Sequence, residues 1–139
     1  IGISRVTVSS EKEQDAGKHM MLGHKFIVPY GLYIAHGYIS ANLARKVTGF
    51  SEEDLALLWQ AVINMFENDH SATRGSMAVR KLIVFKHESE LGNAPAYQLF
   101  ERIKVEKKDP EKPARAYSDY TVTVDDTGLP AGVTCIQMV

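Results

Sequence analysis

The sequence predicts an α+β fold, with helices packed on a mainly antiparallel sheet. Residues 3–8 and 120–124 alternate apolar and polar side chains and are rich in β-branched residues, the pattern of half-buried strands. Leu55, Leu58, Val62 and Met65/Phe66 recur at helical spacing. The predicted elements follow one another roughly as β-β-β-α-β-α-β, with no internal repeat. At 139 residues the chain fits one domain spanning 1–139.

The first strand is Ile3-Ser4-Arg5-Val6-Thr7-Val8. Residues 9–23 are polar and carry two glycines, so they read as a long loop, a length uncommon in compact domains unless the loop binds something. Residues 25–30 return to extended character, with Pro29 marking an edge or a bend because it cannot donate to a ladder. Residues 31–40, dense in Tyr and Ile, read as a second extended run.

The clearest helix begins at Ser51, whose hydroxyl can cap free amides while Asp54 takes the acid position of a capping box. Glu52, Glu53 and Asp54 suit the positive end of the helix dipole. Leu57, Trp59 and Ile63 widen the apolar face, which predicts a sandwiched helix, and Gly75 is the expected stop. Leu82-Ile83-Val84-Phe85 reads as a short buried strand and Leu91-Gly92-Asn93 as a turn. Pro95 is expected at the first position of another helix, which runs to about Ile103 with Tyr97, Leu99/Phe100 and Ile103 inward. Residues 104–108 extend as strand and 109–113 turn. The strand at 120–124 closes on Asp125-Asp126-Thr127-Gly128.

Composition is that of an ordinary globular protein, 45% hydrophobic and 24% charged. No apolar run reaches the roughly 18 residues that span a bilayer. The net charge of −1 gives no global nucleic-acid signature. Its distribution is uneven: residues 1–50 and 70–104 each carry six Lys/Arg against three Asp/Glu, while 51–69 carry five acids and no base. A positive groove is compatible with that layout. The lone Cys135 excludes an internal disulfide and lies in an apolar stretch, where a buried, inert thiol is expected.

Enzymatic motifs are absent: no phosphate loop, no nucleophile elbow and no H-E-x-x-H. His19, His24 and Asp15 lack a metal-binding spacing. Asp69-His70 beside Ser71 resembles catalytic vocabulary, yet adjacency in sequence is not the geometry of a triad. No catalytic residue, metal or cofactor is expected. Binding vocabulary is richer. Lys18, His19, His24 and Lys25 line a glycine-bearing loop that can fold around a phosphate chain. Phe26, Tyr30, Tyr33 and Tyr38 follow, aromatics of the kind on which bases stack. Arg74, between small residues and Gly75, can offer its guanidinium to phosphate, and Arg80 with Lys81 opens the next strand.

The segment Leu22-Gly23-His24-Lys25-Phe26-Ile27-Val28-Pro29-Tyr30-Gly31-Leu32-Tyr33-Ile34-Ala35-His36-Gly37-Tyr38-Ile39-Ser40-Ala41 resembles the central block of the Cas-seven family, type I-C. Thr48-Gly49-Phe50-Ser51-Glu52-Glu53-Asp54-Leu55, Leu58-Trp59 and Asn64-Met65-Phe66-Glu67 resemble the helix that follows it there. Asp69, Ser71-Ala72, Arg74-Gly75, Met77, Phe85-Lys86-His87 and Leu91-Gly92-Asn93-Ala94-Pro95-Ala96 continue the likeness, which is less sharp after about Lys104. The resemblance implies an RRM-like (ferredoxin-like) palm with inserted loops. It implies a non-enzymatic, cytoplasmic subunit of a Cascade surveillance complex in antiviral defence, polymerising along CRISPR RNA. Its partners would be that RNA, the target DNA strand paired to the guide, further copies of itself and other Cascade subunits, with no membrane. The chain opens Ile1-Gly2-Ile3 on a strand pattern, and by the resemblance it is expected to be the later half of such a protein.

The expected RNA-backbone contacts are Arg5, Lys18, His24, Lys25, Arg74 and Arg80. His24 stands where the family pattern is arginine-like, and a histidine is mostly neutral near pH 7, which weakens a phosphate contact there. Two rival readings stay open: a metal-dependent nuclease or hydrolase using Asp69, His70 or the loop histidines, and a self-association module without nucleic acid.

Overall fold

A computed structural model describes residues 4–6, 21–23, 28–69 and 75–139. The chain divides into two compact units, Ile1–Ile34 with Lys107–Tyr120, and Ala35–Glu106 with Thr121–Val139. The class is α+β, as expected, with small antiparallel sheets and few helices, consistent with a fragment of an RRM-like palm.

In the first unit, β1 (Ser4–Val6) pairs antiparallel with β2 (Met21–Gly23), setting Ser4 opposite Gly23, Arg5 opposite Leu22 and Val6 opposite Met21. The strand expected at 3–8 is therefore present over 4–6. β2 corrects the long-loop reading of residues 9–23 at its last three positions; three residues are too few to show a period. Residues 28–30 join no ladder, and Pro29 lies at a bend. The Tyr30 and Tyr120 rings meet with centroids 6.1 Å apart. The turn within Lys107–Tyr120 is tied by its own side chains: Lys107 donates to the Pro110 carbonyl at 3.0 Å, and Lys112 pairs with Asp109 at 2.9 Å. The Asp119 carboxylate accepts from the Arg115 and Ala116 amides at 2.7 and 3.0 Å. Ala114, within this segment, is buried.

The second unit opens with residues 35–40, which form no strand, so the expected third extended element is not a ladder member. Ser40 then caps α1 (Ala41–Leu43), accepting from the Leu43 amide, and the segment winds on as a π-helical stretch Ala44–Thr48. Gly49 closes it in the left-handed conformation, φ 69°. α2 (Glu52–Asn64) starts where the capping box predicts: the Asp54 amide donates to Ser51 Oγ at 3.1 Å and the Ser51 amide donates back to the Asp54 carboxylate at 2.9 Å. It ends at Asn64, eleven residues before the expected stop at Gly75. No residue of α2 is fully buried, and Leu57 is 65% exposed, so the sandwiched helix is corrected to one with a single half-covered face, Leu55, Leu58, Trp59, Val62 and Ile63.

β3 (Ile83–His87) pairs antiparallel with β6 (Val133–Gln137), placing Phe85 opposite Cys135 and His87 opposite Val133. The strand at 133–137 is not among the sequence expectations. α3 (Ala96–Phe100) is shorter than expected; Pro95 is its N-cap, extended at ψ 135°, and Ile103 begins a strand instead of closing the helix. β4 (Ile103–Lys107) pairs with β5 (Tyr120–Val124). The Asp125 amide donates to the Arg102 carbonyl and the Lys108 amide to the Asp119 carbonyl, both at 2.9 Å, so the pair runs antiparallel. Both strands alternate half-buried and exposed residues, as their sequences predict. Leu99 and Val133 are the buried residues of this unit among those described.

Candidate nucleic-acid interface

Of the six expected RNA contacts, Lys18, His24, Lys25 and Arg74 lie outside the described residues, as do Phe26 and His70. Arg5 is placed by its backbone in β1, opposite Leu22. Arg80 is exposed in the segment that leads into β3. Lys81 beside it is exposed too, and Lys86 stands on the solvent face of β3 opposite Thr134, also exposed.

The aromatic residues fall into different settings. Tyr30 packs on Tyr120. Tyr33 is 79% exposed and Tyr38 75%, contrary to the ordinary tendency of tyrosine to bury its ring. In the second unit His36 lies flat on Phe100, centroids 4.1 Å apart and planes 6° apart. Tyr38 meets the same ring edge-on at 5.7 Å and 71°. Phe100 closes α3, whose preceding residue Leu99 is 1% exposed, so the aromatic group sits beside the best-buried point of the unit. Tyr97, expected inward with Leu99 and Phe100, is instead 60% exposed. The His36 ring contact is not among the sequence expectations. Its signal was the His-Gly-Tyr spacing, which in an extended chain turns the two flanking rings to one side.

The acidic groups near the helix and turns are occupied structurally. The Ser51 amide and hydroxyl hold the Asp54 carboxyl below its ordinary value. Lys112 and the Glu111 amide do the same for Asp109, and the Thr127 hydroxyl and amide for Asp125. His87 accepts the Asn93 backbone amide on Nδ1 at 2.9 Å. The Asn93 carboxamide in turn accepts from the Ser89 amide. This histidine is a turn lock. Cys135 is half-buried, and desolvation raises its thiol above the usual 9.0, so it is a poor nucleophile at neutral pH.

Among the described residues no three His, Cys, Asp or Glu side chains converge as a metal site, and no helix is long and apolar enough to cross a membrane. What the described surface offers is exposed cations and exposed flat rings, groups that hold phosphates and bases.

The family described as CRISPR-associated protein Cas7 matches residues 1–125 of the chain. No curated protein matches the sequence.

Proposed function

The chain belongs to the CRISPR-associated protein Cas7 family, and from that premise we propose that it coats guide RNA as a non-catalytic backbone subunit of a type I-C Cascade complex. The family match over 125 of 139 residues carries this reading. In it, copies of the protein line up along CRISPR RNA, hold its ribose-phosphate chain and leave the bases free to pair with a target DNA strand. Arg5, Lys18, Lys25, Arg74 and Arg80 are the proposed backbone contacts, with His24 a weaker one near neutral pH. Neighbouring copies and other Cascade subunits complete the assembly.

The physics suits the task. A subunit that must accept any guide has to bind phosphate and 2′-hydroxyl groups, because contacts to base edges would discriminate between guides. Specificity then resides in base pairing. Repetition along the strand adds many weak contacts, so each copy needs few cations and a net charge of −1 is no obstacle.

Purified protein should carry RNA, visible as a raised 260/280 nm absorbance ratio that nuclease treatment lowers. Lys25→Ala and Arg74→Ala should each weaken binding of unrelated RNA sequences to the same degree. Nucleic-acid-free protein of defined oligomeric state would support the self-association reading. Metal-dependent cleavage lost in His70→Ala would support the hydrolase reading.

A further inference from the structure

We propose that His36, Tyr38 and Phe100 form a stacking platform for an unpaired base of single-stranded RNA. This rests on the reading of the protein as an RNA-coating subunit and adds a contact of a different kind, to the flat face of a base instead of the backbone.

Three observations carry it. The first is pre-assembly. His36 lies parallel to Phe100 at 4.1 Å, and Tyr38 braces the same ring edge-on. Phe100 is fixed by its neighbour Leu99, 1% exposed. An incoming base therefore meets rings already ordered, and less side-chain freedom is lost on binding. The second is exposure. A cluster that served only as a small core would cover its rings, yet Tyr38 is 75% exposed and His36 is exposed beside it. The third is Gly37, between the two rings. It has no positive φ, and apart from its chain neighbours His36 and Tyr38 no atom of the described residues lies within 4 Å of where its side chain would begin. Neither backbone conformation nor internal crowding demands glycine there. Bare backbone beside exposed rings admits a close approach from outside.

The occupant follows from the chemistry. Stacked and edge-on aromatic rings with polar tips favour another flat π-system over an aliphatic chain. Stacking tolerates every base, because each has a π-face. That tolerance is what a sequence-indifferent coat requires.

The test compares wild type, Tyr38→Ala and Tyr38→Phe, in the intact protein, for affinity toward a single-stranded RNA of mixed sequence and toward the same strand with abasic sites. Tyr38 is mostly exposed, so neither change threatens folding. The expected result is an affinity loss of roughly 5- to 150-fold for Tyr38→Ala, the range of one base–aromatic stack. Tyr38→Phe should keep wild-type affinity, and the salt dependence should not change in either. On the abasic strand the gap between wild type and Tyr38→Ala should close. Wild-type affinity in Tyr38→Ala, or an equal loss on both strands, overturns the platform while leaving the coating function intact. Wild-type protein that binds neither strand overturns both.

Discussion

Arg102 shows how one side chain can hold two distant pieces of chain. Its guanidinium donates to the carbonyls of Asp125, Thr127 and Gly128, the last two at 2.8 and 3.0 Å, and so fixes the turn that follows β5. The ion pair with Asp125 at 3.7 Å adds little, because that carboxylate is 58% exposed. Arg102→Ala is expected to cost about 2 kcal/mol, the scale of charged hydrogen bonds left unmade, read as a lower urea midpoint with an unchanged slope. Asp54 gives a second residue-scale prediction. Its carboxyl is held low by Ser51, so in the native protein it should titrate below 3.8, and Ser51→Ala should raise it toward that value in an NMR titration. A carboxyl depressed in the folded state stabilises it above the unfolded value, and that contribution is lost as pH falls through the folded value. Asp109, Asp119 and Asp125 are depressed in the same direction. Acid should therefore loosen the turns around 109–119 and 125–128 and the start of α2, while neutral pH leaves them whole. The contrast between these sites also explains what a sequence discloses. Ser51 and Asp54 lie three residues apart, so their bond is local and readable; Arg102 finds its partners 23 to 26 residues away, across a hairpin.

At the scale of elements, local chemistry decided which were legible. β4 and β5 alternate cleanly and were readable within a residue. β6, Val-Thr-Cys-Ile-Gln, shows its burial only through pairing with β3, a contact some fifty residues away in sequence. The winding of residues 41–48 rests on a Ser40 cap with no acid in its first turn, a weaker signature than the capping box of α2. Residues 28–40 carry β-formers without a partner strand among the described residues, and propensity alone does not make a ladder. The turn joining β6 offers a test. Gly132 has φ 77° and its missing side chain would fall 2.5 Å from the Asn93 carboxamide, itself held by the Ser89 amide. Gly132→Ala should destabilise the protein by at least about 1 kcal/mol, through both strain and displacement of Asn93, seen as a lower Tm. Ser51→Ala should cost about 1 kcal/mol by uncapping α2, with helix content read by circular dichroism.

Across the whole chain, charge is partitioned and not abundant. The stretch 51–69 is wholly acidic in its charged residues, while exposed Lys81 and Lys86 follow it without an intervening acid. Large apolar side chains also face outward, Val28, Val47, Leu57 and Leu91 among them, a distribution suited to surfaces that other chains cover. The family could be recognised from ordered motifs running through most of the sequence, and the α+β class from its periodicities. The backbone contacts could be nominated only by residue type, because which cations converge depends on tertiary placement; four of the six lie outside the described residues. A phosphate-gripping coat makes a global prediction: log K for single-stranded RNA should fall by about 0.7 per contacted phosphate for each log unit of salt. The most direct measurement is the affinity of the intact protein for two equal-length single-stranded RNAs of unrelated sequence across a salt series. The account predicts equal affinities and a shared negative slope that Lys25→Ala and Arg74→Ala each make shallower; a marked preference for one sequence, or an affinity indifferent to salt, would contradict it.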